Sequence, residues 1–118
     1  MSETTLWTNP NPTSSFASQP ITLSQDVNNF DYIKISYRGG ISNDNSMSII
    51  VSIADYNKAD SASTNKVGIA IAGTNSGDLR TRVMFTNGNT SIYPGDARTP
   101  TGSIDNNKAI PIKISGLK

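Results

Sequence analysis

The sequence predicts an all-β protein: a single antiparallel β-sandwich, jelly-roll-like, of about seven or eight strands. Three observations predict it. Fourteen Ile and four Val stand against four Leu, and Glu occurs once, at Glu3. Stiff β-branched side chains suit a pleated surface. Ser, Asn and Thr supply 41 of 118 residues, and Ser and Asn compete with helical hydrogen bonding while serving turns well. Apolar residues also recur at every second position in short runs separated by turn signals, and no helical period occurs.

The elements follow in chain order. Residues 1–20 carry Pro10, Pro12 and Pro20 among Asn, Thr and Ser, with Leu6, Trp7 and Phe16 as apolar anchors. Proline cannot donate to a β ladder, so this stretch is expected to be an extended segment packed on a sheet or its edge. Ile21 to Leu23 begins a short strand that ends at the turn-rich Gln25-Asp26-Val27-Asn28-Asn29. Tyr32 to Arg38 alternates, with Ile33, Ile35 and Tyr37 on one face, until Gly39-Gly40 breaks it. Met47, Ile49, Val51 and Ile53 then keep strict period two opposite Ser48, Ile50 and Ser52.

Asp55 to Asn65 reads as a polar loop containing Tyr56, and Val67, Ile69 and Ile71 form the next run. Arg80 to Thr86 sets Val83 and Phe85 on one side and Arg80, Arg82 and Met84 on the other. Asn87-Gly88-Asn89 is a tight-turn signal with Thr90 to Tyr93 as its return strand. Ile110, Ile112 and Ile114 close the chain, and Pro111 among them predicts an edge strand or a bulge. No internal repeat or composition shift marks a second domain, so residues 1–118 are expected to form one.

Composition removes several function classes. Ten basic residues balance nine acidic ones, which supplies no long-range field for a polyanion, so no nucleic-acid partner is expected. His and Cys are absent, which excludes disulfides, thiolate zinc sites, cysteine nucleophiles and Ser-His-Asp chemistry. No stretch of about 18 apolar residues occurs, so membrane insertion is not expected. The start, Met-Ser-Glu-Thr-Thr, lacks the basic and apolar regions of a signal peptide. Leu, Ile, Val and Phe number 25, close to the roughly 20% below which highly charged chains stay disordered. The interior is therefore expected to be thin and completed by partner subunits, as a homo-oligomer.

Candidate sites are few. Eight of the nine acids are Asp in turn-like contexts such as Asn43-Asp44-Asn45 and Pro94-Gly95-Asp96, where the side chain caps its own backbone. Neither a glycosidase pair nor an EF-hand spacing emerges, so no catalytic residue, metal or cofactor is assigned. Arg80 and Arg82 project from one face of one strand. They suit either a solvated face carrying gatekeeper charge or a grip on an anion or acidic partner. Leu6, Trp7, Phe16, Arg80, Arg82 and Lys113 are the candidate interface residues. Tyr56, in its polar loop, and Tyr93, before Pro-Gly, are the candidate glycan contacts, because a ring beside amide and hydroxyl groups matches a sugar's mixed surface.

Three stretches carry a resemblance: Leu6-Trp7-Thr8-Asn9-Pro10-Asn11-Pro12-Thr13-Ser14-Ser15-Phe16-Ala17, then Phe30-Asp31-Tyr32-Ile33-Lys34-Ile35, and finally Ala109-Ile110-Pro111-Ile112-Lys113-Ile114-Ser115-Gly116-Leu117-Lys118. Together they resemble a small β module of tailed-bacteriophage virion structural proteins, found on fibres and other exposed parts. The resemblance implies an exposed, trimeric, non-enzymatic virion module and supplies no catalytic residues. The opening and closing motifs bracket almost the whole chain, so neither shaft nor anchor is expected. Decoration of the capsid, or capping of another virion protein, is the leading expectation. The alternative is a receptor-binding module of the tail tip or tail fibre that recognises host-surface glycans.

Overall fold

Alternation in the sequence becomes strands in the computed structural model, which describes residues 1–41, 43–56, 68–75 and 78–118, without the side chains of 43–45, 55–56, 74–75 and 78. Among the described residues the strands are β1 (Glu3–Thr8), β2 (Ile21–Thr22), β3 (Tyr32–Gly40), β4 (Asn43–Ser52), β5 (Gly68–Asn75), β6 (Asp78–Thr86), β7 (Ser91–Pro94) and β8 (Lys108–Leu117). They form two antiparallel sheets, a first of order β1-β8-β3-β4 and a second of order β2-β7-β6-β5. The two pack as a β-sandwich. The nested pairs β1 with β8 and β2 with β7 are jelly-roll-like, while β3-β4 and β5-β6 close as hairpins. One helical turn, α1 (Ile53–Tyr56), follows β4.

The N-terminal segment does more than drape. Glu3 to Thr8 pairs antiparallel with β8, and Pro10 and Pro12 just beyond it cannot continue the ladder. Leu6 is the extra residue between the pairs Thr5–Ser115 and Trp7–Ile114. This bulge turns Leu6 into the core and lets its carbonyl accept the Ser24 amide at 3.0 Å. The chain then carries Phe16 under the second sheet, where the Phe16 amide donates to the Asn106 carbonyl at 3.0 Å.

Pro111 lies on a bulge, as expected, but β8 is a central strand and not an edge. Between the pairs Ser36–Lys113 and Tyr37–Pro111, Ile112 is the extra residue. The three closing isoleucines therefore do not share a face: Ile110 and Ile114 are buried, whereas Ile112 is half-buried. Asn9 fills the gap in hydrogen bonding. Its side-chain amide donates to the Pro111 carbonyl at 2.8 Å and its backbone N–H to the Ile112 carbonyl at 2.7 Å.

The interior is fuller than the apolar count predicts. Ile33, Ile35, Ile69, Ile71, Met84, Ile92, Ile110 and Ile114 come from the sheets, and Leu6, Phe16, Leu23, Val27 and Phe30 join them from the bulge and the connections. The bulge and connections of the chain's own N-terminal third thus contribute five of these buried side chains. The sheets come nearest where Gly73 of β5 meets the Gly39 carbonyl and the Ala109 backbone, and a Cβ there would collide with both. Ala109 itself holds a positive φ of 50° while fully buried.

Candidate functional site

Strand β6 is placed by its neighbours. Opposite it on β5, Ile69 pairs with Met84 and Ile71 with Arg82, and both isoleucines are buried. Directly paired residues share a face, so Met84 and Arg82 must point inward and Val83 and Phe85 outward. This reverses the expected solvated arginine face. Arg82 is fully buried, while Leu79, Val83 and Phe85 are 48%, 37% and 39% exposed.

The buried guanidinium is held by three backbone carbonyls. Its Nε donates to Ala109 at 2.8 Å, Nη1 to Gly95 at 2.7 Å and Nη2 to Lys108 at 3.3 Å. It lies 5.3 Å from the centre of the Phe16 ring, a cation–π distance, and Phe16 meets Trp7 edge-on at 5.9 Å. Burial pushes the Arg82 pKa down to about 10, opposed by the charge of Asp96, so the group stays charged at neutral pH. Arg82 is therefore a clamp joining β6, the start of β8 and the N-terminal segment. It is not an accessible interface residue.

The other expected interface residues divide similarly. Leu6 and Phe16 are buried in their own chain, and Trp7 is half-buried against Phe16. Arg80 pairs with Asp105 at 2.8 Å, which holds the Asp105 carboxyl below its usual range. Lys113 reaches Glu3 at 3.0 Å and Lys34 reaches it at 3.6 Å. The Glu3 carboxyl is lowered chiefly by the Lys113 hydrogen bond and then by that of Ser115. Arg80 and Lys113 remain part-exposed, but each is engaged within the chain.

Apart from Tyr93, sequence reasoning missed the residues that lie open together. On the outer face of the second sheet, Phe85 is directly paired with Tyr93, which is 38% exposed. Val83, Leu79 and Thr81 extend this row along β6, and Ala70 and Ala72 of β5 lie exposed beside it. The signal was present, because every second residue of Leu79 to Phe85 except Thr81 is large and apolar. Only the phase of the strand was unknown.

Alongside this row a cleft of about 340 Å³ is lined by Ser18, Thr81, Val83, Phe85, Asp96 and Arg98. Asp96 is oriented there by donors from the Asn106 side chain at 2.9 Å and the Ser18 amide at 3.1 Å. These bonds, the Asn106 one first, keep its carboxyl below the usual range. Tyr93 is steadied by a long 3.4 Å hydrogen bond from Ser18. Tyr56 ends α1, and its side chain lies outside the described residues, as does the loop that follows it. A second hollow of about 440 Å³ on the first sheet, between Lys34, Ser36, Ser48 and Lys113, is rimmed by ammonium and hydroxyl groups and lacks a ring.

Among the described residues no cluster of three or more acidic groups could hold a metal ion. Against known proteins, the chain matches no family model and no curated protein.

Proposed function

We propose that this protein is a non-enzymatic structural module of a tailed-phage particle, held on the exterior by protein–protein contacts through the outer face of its second sheet. One observation carries the reading: β6 turns its arginine inward and its Leu79, Val83 and Phe85 outward. A sheet face meant for water alternates the other way. An exposed row of large apolar side chains, interrupted here only by Thr81 and rimmed by polar groups, is what a protein-binding surface presents. The resemblance of the opening and closing stretches to phage virion modules supplies the setting, and assembly on the particle exterior supplies the location.

Adhesion here needs no chemistry. Desolvating the Leu79–Phe85 row and Tyr93 drives association, since apolar burial is worth about 25 cal/mol per Å², while Asp96 and Arg98 beside the row set register by hydrogen bonding. The test is a Val83→Asp/Phe85→Asp variant expressed during phage growth. Particles are expected to lack the variant while carrying the unmodified chain, and equal incorporation of both would overturn the reading.

The cleft beside Tyr93 favours a second reading, in which the module contacts host-surface glycans. The Phe85 ring, a fixed carboxylate and a guanidinium line one shallow site, and with Tyr93 paired beside Phe85 they match a sugar's apolar face and hydroxyls. Binding on a glycan array that Tyr93→Ala and Asp96→Ala both abolish would establish it. An array on which the unmodified protein is silent would remove it.

A further inference from the structure

Among the described residues strand β4 forms one edge of the first sheet, and beyond its single charge, Asp44, and the register shift that precedes Ser46 nothing blunts that edge. From Ser46 to Ser52 it reads Ser-Met-Ser-Ile-Ile-Val-Ser, with no charge, proline or glycine. Natural edges are protected by lysine, proline, bulges or short length. The opposite edge, β1, is shorter and carries Glu3 with its two lysines. On β4, Ile50 is 57% exposed, and Met47, Ile49 and Val51 on the other face are only half-buried.

The backbone direction along this edge follows from one hydrogen bond. The Ile53 amide donates to the Asp31 carbonyl at 3.0 Å, so the odd-numbered residues of β4 turn their backbone groups toward β3. Alternation then leaves the amides and carbonyls of Ser46, Ser48 and Ile50 directed to the open side.

We infer that this edge pairs with β4 of a second copy, antiparallel and centred on Ile49, joining two first sheets into one continuous sheet across a two-fold axis. In that register Ser48 of each copy exchanges backbone hydrogen bonds with Ile50 of the other. On the inner face Ile49 meets Ile49 and Met47 meets Val51, an unbroken apolar row. Lys34 and Arg38 on β3 lie three strand spacings from their counterparts, about 14 Å, beyond the screening length of about 10 Å.

Pairing β4 with the uncharged edge β5 (Gly68–Asn75) of another copy instead would leave an open-ended chain of molecules, whereas the isologous pair closes. The dimer surface is separate from the outer face of the second sheet, so the two associations fail independently. A strand pair is a small interface, which makes the dimer concentration-dependent.

The chain has no cysteine, which allows a register test. In the proposed pairing Ile49 lies opposite itself in a non-hydrogen-bonded pair, with Cα atoms about 4.5 Å apart, within disulfide reach. Mild oxidation is expected to convert Ile49→Cys into a covalent dimer. Met47→Cys and Val51→Cys are each expected to stay uncrosslinked alone and to crosslink when mixed.

Light scattering at high micromolar concentration is expected to give twice 12.6 kDa, falling to the single-chain mass in Ser48→Pro and Ile50→Lys. Ser48→Pro removes only an outward donor, so circular dichroism should be unchanged. A single-chain mass for the unmodified protein, a three-chain mass, a dimer that survives both edge variants, or crosslinking of Met47→Cys alone would each overturn the proposal. None of these results bears on whether Val83→Asp/Phe85→Asp is excluded from particles.

Discussion

The outer faces of the two sheets differ in how their apolar groups are placed. On the first, Lys34, Ser36 and Lys113 surround a hollow, with two lysines tied to Glu3. Exposed Tyr32 and Ile50 stand on that face among charged and hydroxyl groups. On the second, Leu79, Val83, Phe85 and Tyr93 lie exposed, while the arginine that could have covered that face is clamped inside. The difference teaches that β6 sacrifices a polar exterior for an interior that needs three hydrogen-bond donors. Strand β8 explains the need: its opening carbonyls at Lys108 and Ala109, with Gly95 before it, converge beneath β6, and only a buried fork of N–H groups satisfies them together.

The comparison breaks hardest at the clamp. Arg82→Met keeps the volume but leaves three carbonyls without donors, each costing about 1–3 kcal/mol when buried. A loss of roughly 3 kcal/mol or more, with a fall in Tm on the order of 10 °C, is expected in thermal unfolding. An unchanged Tm would return Arg82 to the surface.

Adjacent residues on β6 sharpen the contrast. Met84→Ala should cost about 2–5 kcal/mol by leaving a cavity, whereas its neighbour Phe85→Ala should change stability by no more than about 0.5 kcal/mol. Urea denaturation of the two variants compares inner and outer faces one residue apart, and equal losses would contradict the assigned phase.

Gly73→Ala drives a methyl into the backbone of Gly39 and Ala109. An overpacking loss of about 1–3 kcal/mol is expected, and the same denaturation experiment reads it.

The smallest effect is electrostatic. Asp105 beside Arg80 has its folded pKa depressed below the ordinary 3.8. Its contribution is therefore complete above that value and is lost as pH falls through the folded pKa. Asp105→Asn should flatten the decline of Tm between neutral pH and about pH 3 without moving the alkaline side.

Much of the fold was legible because alternation and turn residues are local signals. Tyr32 to Arg38, Met47 to Ser52 and the Asn87-Gly88-Asn89 turn fall where period two and glycine placed them, with Gly88 at φ 94°. Strand β3 nevertheless runs on through Gly39-Gly40, where the glycines predict a break, and Ile53 begins α1. Strand β1 was hidden by nearby prolines and by threonines, which read equally well as loop. The phase of β6 was hidden for a deeper reason. Arg80, Arg82 and Met84 against Val83 and Phe85 is amphipathic whichever way it faces, and the choice is made by long-range pairing with Ile69 and Ile71 and by carbonyls 13 to 27 positions away.

The candidate site was legible only at Tyr93. Leu6 and Phe16 looked like intersubunit anchors because no local pattern reveals that a bulge and a connecting segment fold back over their own core.

Thiol labelling along β6 tests the central contrast directly, since the native chain contributes no background thiol. Single cysteines at positions 79, 81, 83 and 85 are predicted to react quickly in the isolated chain and to become protected in assembled particles, while those at 80, 82, 84 and 86 react slowly in both. Fast reaction at the even positions, or odd positions that stay equally reactive after assembly, would contradict it.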